Sequence, residues 1–125
     1  MPNPIVYIDR SEIRDGKLEE VKAAMKRLAA FIFQNNPHII SYGFFLDEDG
    51  TCMTVVGVHP DSSALEFHMD VGDVEFRKFA DLVDLSSISI YGDVSDAALE
   101  RLHRKARMLG RGTVAVHRSH AGFAR

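Results

Sequence analysis

HIISYGFFLDEDGTCMTVVGVH, residues 38–59, decides the fold of this 125-residue chain. It holds two apolar runs, His38–Leu46 and Thr51–His59, and the Asp-Gly at positions 49–50 between them is a strong β-hairpin signal. Successive side chains of a strand point to opposite faces, and in both runs the residues of each face are mainly apolar. A sheet with one solvated face alternates apolar with polar residues instead. These two strands are therefore predicted to be covered on both faces.

Apolar periodicity outside this hairpin predicts the rest of the domain. The further elements are strands at residues 4–10 and 87–92, and helices at residues 17–34, 64–71 and 74–83. The last two helices are predicted as separate pieces because Gly72 lies between them. The order strand–helix–strand–strand–helix–strand predicts an α+β ferredoxin-like βαββαβ sheet with helices on one face. These helices cannot cover the second face, so we expect it to pack on the sheet of a second copy.

The last part of the chain differs from the rest in charge. Residues 1–100 hold all 18 acidic residues and 8 of the 15 basic ones, and residues 101–125 hold the other 7 and no acid. Ser95 is predicted to cap a helix that ends at Leu109, and residues 113–117 a short fifth strand. We therefore divide the chain into a ferredoxin-like domain, residues 1–94, and a basic C-terminal helix and strand extension, residues 95–125. The extension is expected to dock on the acidic body of its own chain or its partner.

Composition argues against several classes of protein. No run reaches the about 20 apolar residues of a membrane span, no signal peptide is visible, and the single Cys52 suits a reducing compartment. A cytoplasmic protein without membrane contact is predicted. An RNA-binding domain with this element order needs exposed aromatic residues on its central strands, and residues 51–58 contain none. The acidic body also repels phosphates, so no nucleic acid partner is expected.

The element order, the divided second helix and the segment SALEFH at Ser63–His68 resemble the dimeric α+β barrel superfamily. Within it, the chain looks like the antibiotic biosynthesis monooxygenase-like domains over about residues 4–93. The resemblance implies a homodimer joined through its sheet faces and a small-molecule pocket between sheet and helices in each subunit. It also implies oxidation of phenols or quinols without metal or flavin in some members, so no cofactor is expected.

The chain departs from that family in two positions of the pocket. Cofactor-free oxygenases and haem-cleaving members place an Asn late in the first strand, a Trp, and a helix His in one pocket. Asp9 stands where that Asn would be, the chain has no Trp, and His68 keeps its type. These departures argue against haem cleavage of that kind.

His68 and Asp9 are the candidate catalytic residues. His68 shares a helix face with Ala64 and Leu65, and a histidine in an apolar pocket acts near neutral pH as a base or hydrogen-bond partner. Asp9 shares a strand face with Tyr7, and on the helix side it would orient the His68 ring, so that the pair takes a proton from an acidic phenol. The alternatives are a structural buried histidine and an aspartate bonded to the loop after its strand.

Three tyrosines in predicted strands are the candidate substrate-binding residues: Tyr7, Tyr42 and Tyr91. Aromatic residues in strands more often belong to a core or an interface. No metal site is predicted, because neither His59 nor the pair His117 and His120 supplies three or four ligands. The predicted function is conversion of an aromatic or quinone-like metabolite by a cofactor-independent monooxygenase. The alternative is a non-catalytic metabolite-binding or oligomerisation domain.

Overall fold

A computed structural model describes residues 3–125 of the chain, and these residues form five strands and three helices. In chain order they are β1 Ile5–Ile13, α1 Leu18–Asn35, β2 Ser41–Leu46, β3 Cys52–His59, α2 Ser62–Arg77, β4 Val83–Tyr91, α3 Asp96–Leu109 and β5 Gly110–His117. No helix within this described range is long and apolar enough to cross a membrane.

The five strands form one sheet in the order β2-β3-β1-β4-β5. The first four strands pair antiparallel, and β5 adds to the edge parallel to β4. The helix α3 joins the two parallel strands, because the chain must return to the starting end of β4 before β5 can run in the same direction. This arrangement confirms the predicted α+β ferredoxin-like fold, with a C-terminal helix and strand added to it.

All three helices lie on one face of the sheet, because their buried side chains share a hydrophobic core with alternate residues of the strands. Ile5 and Tyr7 of β1 face this core, whereas Val6 and Ile8, which alternate with them, face the other side. That second face, here called the open face, also carries Val56 of β3 opposite Ile8. It is apolar at its centre and no helix of residues 3–125 covers it.

The second helix is continuous, so the predicted break at Gly72 is wrong. Gly72 lies inside α2, and a Cβ atom there would overlap with Cζ of Phe76. The glycine makes room for the Phe76 ring, which is 1% exposed. Close packing therefore outweighs the usual cost of about 1 kcal/mol for glycine within a helix.

The following segment also differs from the prediction. The helix ends at Arg77, several residues before the expected end at Val83, and a turn at residues 78–82 leads directly into β4. That strand begins at Val83 and not at Ser87. Phe79, Val83 and Leu85 are all buried. The spacing of four between Phe79 and Val83 is typical of one face of a helix, but here these residues lie in a turn and at the start of a strand.

The C-terminal segment packs into the same core as the rest of the chain. Ser95 caps α3 as predicted, its side-chain oxygen accepting the Ala98 N–H at 3.0 Å. The strand β5 begins directly after the helix, at Gly110, where a Cβ atom would lie 2.6 Å from the backbone nitrogen of Leu85. Glycine thus lets β5 approach β4 closely. Arg101 of α3 binds Asp70 of α2 at 2.7 Å, so the basic segment does dock on the acidic body.

Candidate functional site

Three polar side chains meet beneath the sheet: Tyr7, Asp9 and Lys105. The Lys105 ammonium donates to the Tyr7 hydroxyl at 2.7 Å and to Oδ2 of Asp9 at 3.2 Å. The Tyr7 hydroxyl in turn donates to Oδ2 of Asp9. The exposed fractions are 1% for Tyr7, 2% for Asp9 and 6% for Lys105. No other acidic, Lys or Arg residue among residues 3–125 is buried, so we call these three residues the charged cluster.

Local structure explains why these three side chains converge. Tyr7 and Asp9 are two positions apart on β1, and side chains two apart on a strand point to the same face. Lys105 follows Leu102 by three positions on the buried face of α3, so its stem enters the core with the apolar stripe. Its Nζ atom lies 4.3 Å from the centre of the Phe76 ring and 4.8 Å from that of Tyr7. Such cation–π contacts stabilise a desolvated ammonium.

The charged cluster borders a small cavity between the sheet and the helices. Its polar lining consists of Asp9, Ser11, Tyr42 and Lys105, and its other lining residues are apolar side chains from all three helices and the sheet. The cavity has a volume of about 20 Å³, which is room for about one water molecule. In this conformation it holds no aromatic ligand.

Phe44 of the edge strand β2 separates this cavity from a larger groove on the surface. Its ring lines the cavity and also lines the groove between α1 and β2, which has a volume of about 400 Å³. Phe44 stacks on Phe79 with ring centres 6.3 Å apart, and Met25 and Leu46 are among the apolar walls of the groove. Movement of the Phe44 ring would join the two spaces.

His68 lies beside the cavity wall with a fixed hydrogen-bond partner. Nδ2 of Asn36 lies 3.0 Å from Nδ1 of His68, and Oδ1 of Asn36 accepts the backbone N–H of His38 at 3.3 Å. Because Oδ1 accepts, the amide must donate through Nδ2, and Nδ1 of His68 is then the acceptor. A neutral His68 therefore carries its proton on Nε2 and is a hydrogen-bond donor there.

Burial controls the protonation of the aromatic polar groups around the site. Burial, with the nearby Lys105 charge as a smaller cause, lowers the pKa of His59 from 6.5 to about 4. Burial also lowers the pKa of His68 well below its usual value, with His59 and Lys105 as smaller causes. Both imidazoles are thus neutral near pH 7. Burial, with the Asp9 charge as a smaller cause, raises the pKa of Tyr7 and of Tyr42 well above the usual value, so both hydroxyls keep their protons.

The structure brings together some of the predicted site residues. Asp9 and Tyr42 line the cavity, Tyr7 stands directly behind Asp9, and His68 contacts the Tyr42 ring with ring centres 5.2 Å apart. His68 itself is not a lining residue. The expected orientation of His68 by Asp9 is wrong, because Asp9 bonds Tyr7 and Lys105 while His68 bonds Asn36.

Tyr91 does not join the other predicted site residues. It pairs with Val6 in the sheet and shares the open face with it, and 43% of its surface is exposed. Its ring stacks on His117 of β5 with centres 4.6 Å apart. A substrate in the cavity beneath the sheet cannot contact Tyr91 from the opposite face.

Sequence reasoning did not place three residues at this site: Asn36, His59 and Lys105. Lys105 was read only as part of the basic segment, although the spacing of Ala98, Leu102, Lys105 and Leu109 places it in the buried stripe of α3. His59 ends the alternating buried set of β3, which the sequence also showed. Asn36 gave no signal beyond its place at the end of a helix.

No protein-family model and no curated protein sequence matches the chain. Solved structures do match it in fold. MupZ from Pseudomonas fluorescens aligns with a TM-score of 0.77 and 20% identity over 100% of this chain and 91% of that chain. A provisionally assigned antibiotic biosynthesis monooxygenase from Bacteroides thetaiotaomicron gives a TM-score of 0.58 and 18% identity over 66% of this chain and 85% of that one.

A variant of SnoaB, a cofactor-independent oxygenase from Streptomyces nogalater, aligns with a TM-score of 0.61 and 15% identity over 70% of this chain and 90% of that chain. These likenesses confirm, at the level of fold, the resemblance to antibiotic biosynthesis monooxygenase-like proteins. At identities this low, the structural alignments establish a shared architecture only. The chemistry must be argued from the site itself.

Proposed function

We propose that the chain is a small-molecule enzyme that oxygenates a phenolic or quinone-like aromatic metabolite without a cofactor. The observation that carries this proposal is the charged cluster at the wall of a cavity that is lined mostly by apolar side chains. A buried carboxylate beside apolar side chains is a typical arrangement for proton abstraction. The fold that the chain shares with a cofactor-independent oxygenase supports the same class of reaction.

In the proposed mechanism Asp9 accepts the proton of the substrate, and Tyr7 holds Asp9 in place through its hydroxyl. Tyr42 orients the aromatic ring at the cavity wall, and neutral His68 supports Tyr42 from behind. The electron-rich anion then reacts with molecular oxygen. One oxygen atom enters the substrate and the other leaves as water with two hydrogen atoms of the substrate, so no external reductant is needed.

Substrate entry requires the cavity to expand, because its present volume of about 20 Å³ fits no aromatic ring. Phe44 is the proposed point of entry, since its ring lines both the cavity and the groove between α1 and β2. Motion of this ring would bring the substrate over the Phe79 ring and toward Asp9.

The proposal includes a homodimer joined through the open face. Val6, Ile8 and Val56 form its apolar centre, and Phe45 at its edge is 57% exposed. An apolar sheet face of this kind is rarely left to solvent in a monomer. The free Cys52 supports a cytoplasmic location as part of the same proposal.

Oxygen uptake in the presence of a panel of phenols, naphthols and hydroquinones tests the proposed reaction. We expect uptake above the uncatalysed rate with at least one compound, and its loss in Asp9→Asn. Asp70→Asn is the matched control, because it makes the same change at an exposed carboxylate. Uptake that is unchanged in Asp9→Asn contradicts the mechanism.

A non-catalytic metabolite-binding domain is the second candidate, because a buried ion pair at a cavity wall can also hold a polar ligand without changing it. A module that binds one small ligand tightly needs no route for turnover. Saturable ligand binding without oxygen uptake or any chemical change in the ligand would select this candidate over the enzyme.

A further inference from the structure

The charged cluster has one donor and one acceptor that no protein group uses. The Lys105 ammonium has three N–H bonds, and within residues 3–125 it finds two acceptors, Tyr7 and Asp9. Oδ1 of Asp9 is buried and has no hydrogen-bond partner in the described chain. A buried acceptor without a partner costs about 1–3 kcal/mol, more for a charged group. Both positions are therefore open to a molecule in the cavity.

The two unused positions belong to residues that border the same cavity. Asp9 and Lys105 both line it, and their bonded atoms, Oδ2 and Nζ, are 3.2 Å apart. A single hydroxyl group in the cavity can serve both, because its proton can be donated to Oδ1 and its oxygen can accept from Nζ. A carbonyl can satisfy only the Lys105 donor, and an ammonium only the Asp9 acceptor.

We propose that Lys105 is a substrate-binding catalytic residue whose ammonium holds the oxygen of an acidic aromatic hydroxyl group while Asp9 takes its proton. This inference rests on the proposed function and deepens it by naming the group recognised and the residue that stabilises its anion. Lys105 comes from α3, so the C-terminal segment supplies part of the site.

The proton transfer conserves the charge of the buried site. The O–H bond of the ligand breaks, the proton bonds to Oδ1 of Asp9, and the electron pair stays on the ligand oxygen. The ion pair of Asp9 with Lys105 is replaced by an ion pair of the ligand oxyanion with Lys105. Because no net charge is created in the core, the step avoids the desolvation cost of an unpaired ion. A preorganised ammonium near a developing oxyanion is a strong source of catalysis.

The same geometry selects the class of ligand. A carboxylate ligand would bring a second negative charge into contact with the Asp9 carboxylate, and the two like charges would repel each other. An aliphatic alcohol could bind, but its proton is held too strongly to pass to a carboxylate. The Phe76 and Phe79 rings on the cavity wall favour a flat aromatic body.

A structural role is the competing explanation for Lys105, since a buried ion pair could serve only to hold α3 against β1. Ionisation of a bound chromogenic phenol separates the two explanations. The probe is 4-nitrophenol, whose phenolate absorbs at a longer wavelength than the neutral form. The measurement is the fraction of bound probe present as phenolate as a function of pH.

In the wild-type protein we expect the bound probe to ionise at a lower pH than the free probe, with at least about a tenfold shift in its acid dissociation constant. Lys105→Met should abolish this shift or reverse it. Arg101→Met removes one positive charge at a half-buried position one turn earlier on the same helix, where Arg101 pairs with Asp70, and should keep the wild-type shift. Because Lys105→Met leaves Asp9 unpaired, the double variant Asp9→Asn/Lys105→Met is measured beside it, and should bind the probe only in its neutral form.

An unshifted ionisation of the bound probe in the wild-type protein would overturn the inference, as would equal shifts in the Arg101 and Lys105 variants or absence of saturable binding. These outcomes are independent of oxygen uptake. A shifted probe without turnover of any phenol would contradict the oxygenase and leave the role of Lys105 intact. Turnover of a phenol without a shifted probe would contradict the role of Lys105 and leave the proposed oxygenase intact.

Discussion

The Lys105 ammonium lies 3.2 Å from the Asp9 carboxylate, and this buried contact joins the C-terminal helix to the first strand across 96 positions of the chain. Both side chains are almost fully buried. The pair makes α3 part of the site and not an appendage to it. We expect measurable effects from changes in this pair, in the two neighbouring histidines, in Phe44 and in the open face.

Breaking the buried ion pair on one side should be strongly destabilising. Lys105→Met leaves the Asp9 carboxylate buried without its cation, so we expect the free energy of unfolding to fall by about 3–5 kcal/mol. The double variant Asp9→Asn/Lys105→Met has no unpaired charge and should lose clearly less. Urea unfolding followed by circular dichroism measures these differences.

Arg101 and Asp70 provide a control for this effect, because their ion pair joins α3 to α2 near the surface. Arg101→Met should cost at most about 1 kcal/mol, as exposed ion pairs usually do. Equal losses of unfolding free energy in the Lys105 and Arg101 variants would show that the buried pair contributes no more to stability than the pair near the surface.

Stability should fall in mild acid because of His59. Its pKa is about 4 in the folded chain and 6.5 in its unperturbed state. Between these values the unfolded chain binds a proton that the folded chain does not, so the free energy of unfolding decreases as the pH falls through this window. The full effect of this group is about 3 kcal/mol, and burial of His68 acts in the same direction.

His59→Phe tests this assignment, since it keeps a ring in the core and removes the titrating group. Within the window we expect the pH dependence of the unfolding free energy to become shallower by up to about 1.4 kcal/mol per pH unit. His103→Phe removes an exposed histidine from α3 and should leave the slope as in the wild type. An unchanged slope in the His59 variant would count against buried neutral His59 as its source.

Phe44→Ala should open the cavity to the surface groove. The half-buried ring stacks on Phe79, so its removal should lower the free energy of unfolding by about 2 kcal/mol, less than for a fully buried phenylalanine. Stopped-flow absorbance should show faster association of 4-nitrophenol, because the ring no longer has to swing aside. Phe33→Ala is the control, since Phe33 is 87% exposed on α1. An association rate equal to that of the wild type would place the entrance elsewhere.

Val56→Arg should dissociate the proposed dimer without unfolding the subunit. Val56 lies at the centre of the open face, opposite Ile8, and a buried arginine without a partner there would oppose sheet packing. Sedimentation velocity should show a dimer for the wild type and a monomer for this variant. Val74→Arg, at a site 68% exposed on α2, should remain dimeric. A monomeric wild-type protein would contradict the proposal that the open face is a dimer interface.

The hairpin and the element order could be predicted from the sequence because turn chemistry and alternation act locally. Gly72 misled the prediction, since a glycine that admits the Phe76 ring looks the same in sequence as one that ends a helix. The partner of Asp9 was missed for a similar reason. Lys105 reaches Asp9 only after α3 docks, and a lysine in a basic segment gives little indication that its stem lies in an apolar stripe.

Calorimetric titration with 4-nitrophenol and with 4-nitroanisole, in which a methyl group replaces the hydroxyl proton, is the most direct test of a cavity that recognises and deprotonates an aromatic hydroxyl. A site built to hydrogen-bond a hydroxyl group discriminates strongly against the analogue that lacks it. We expect saturable binding of the phenol and at least about tenfold weaker binding of the methyl ether. Equal affinities, or no binding of the phenol, would contradict the account.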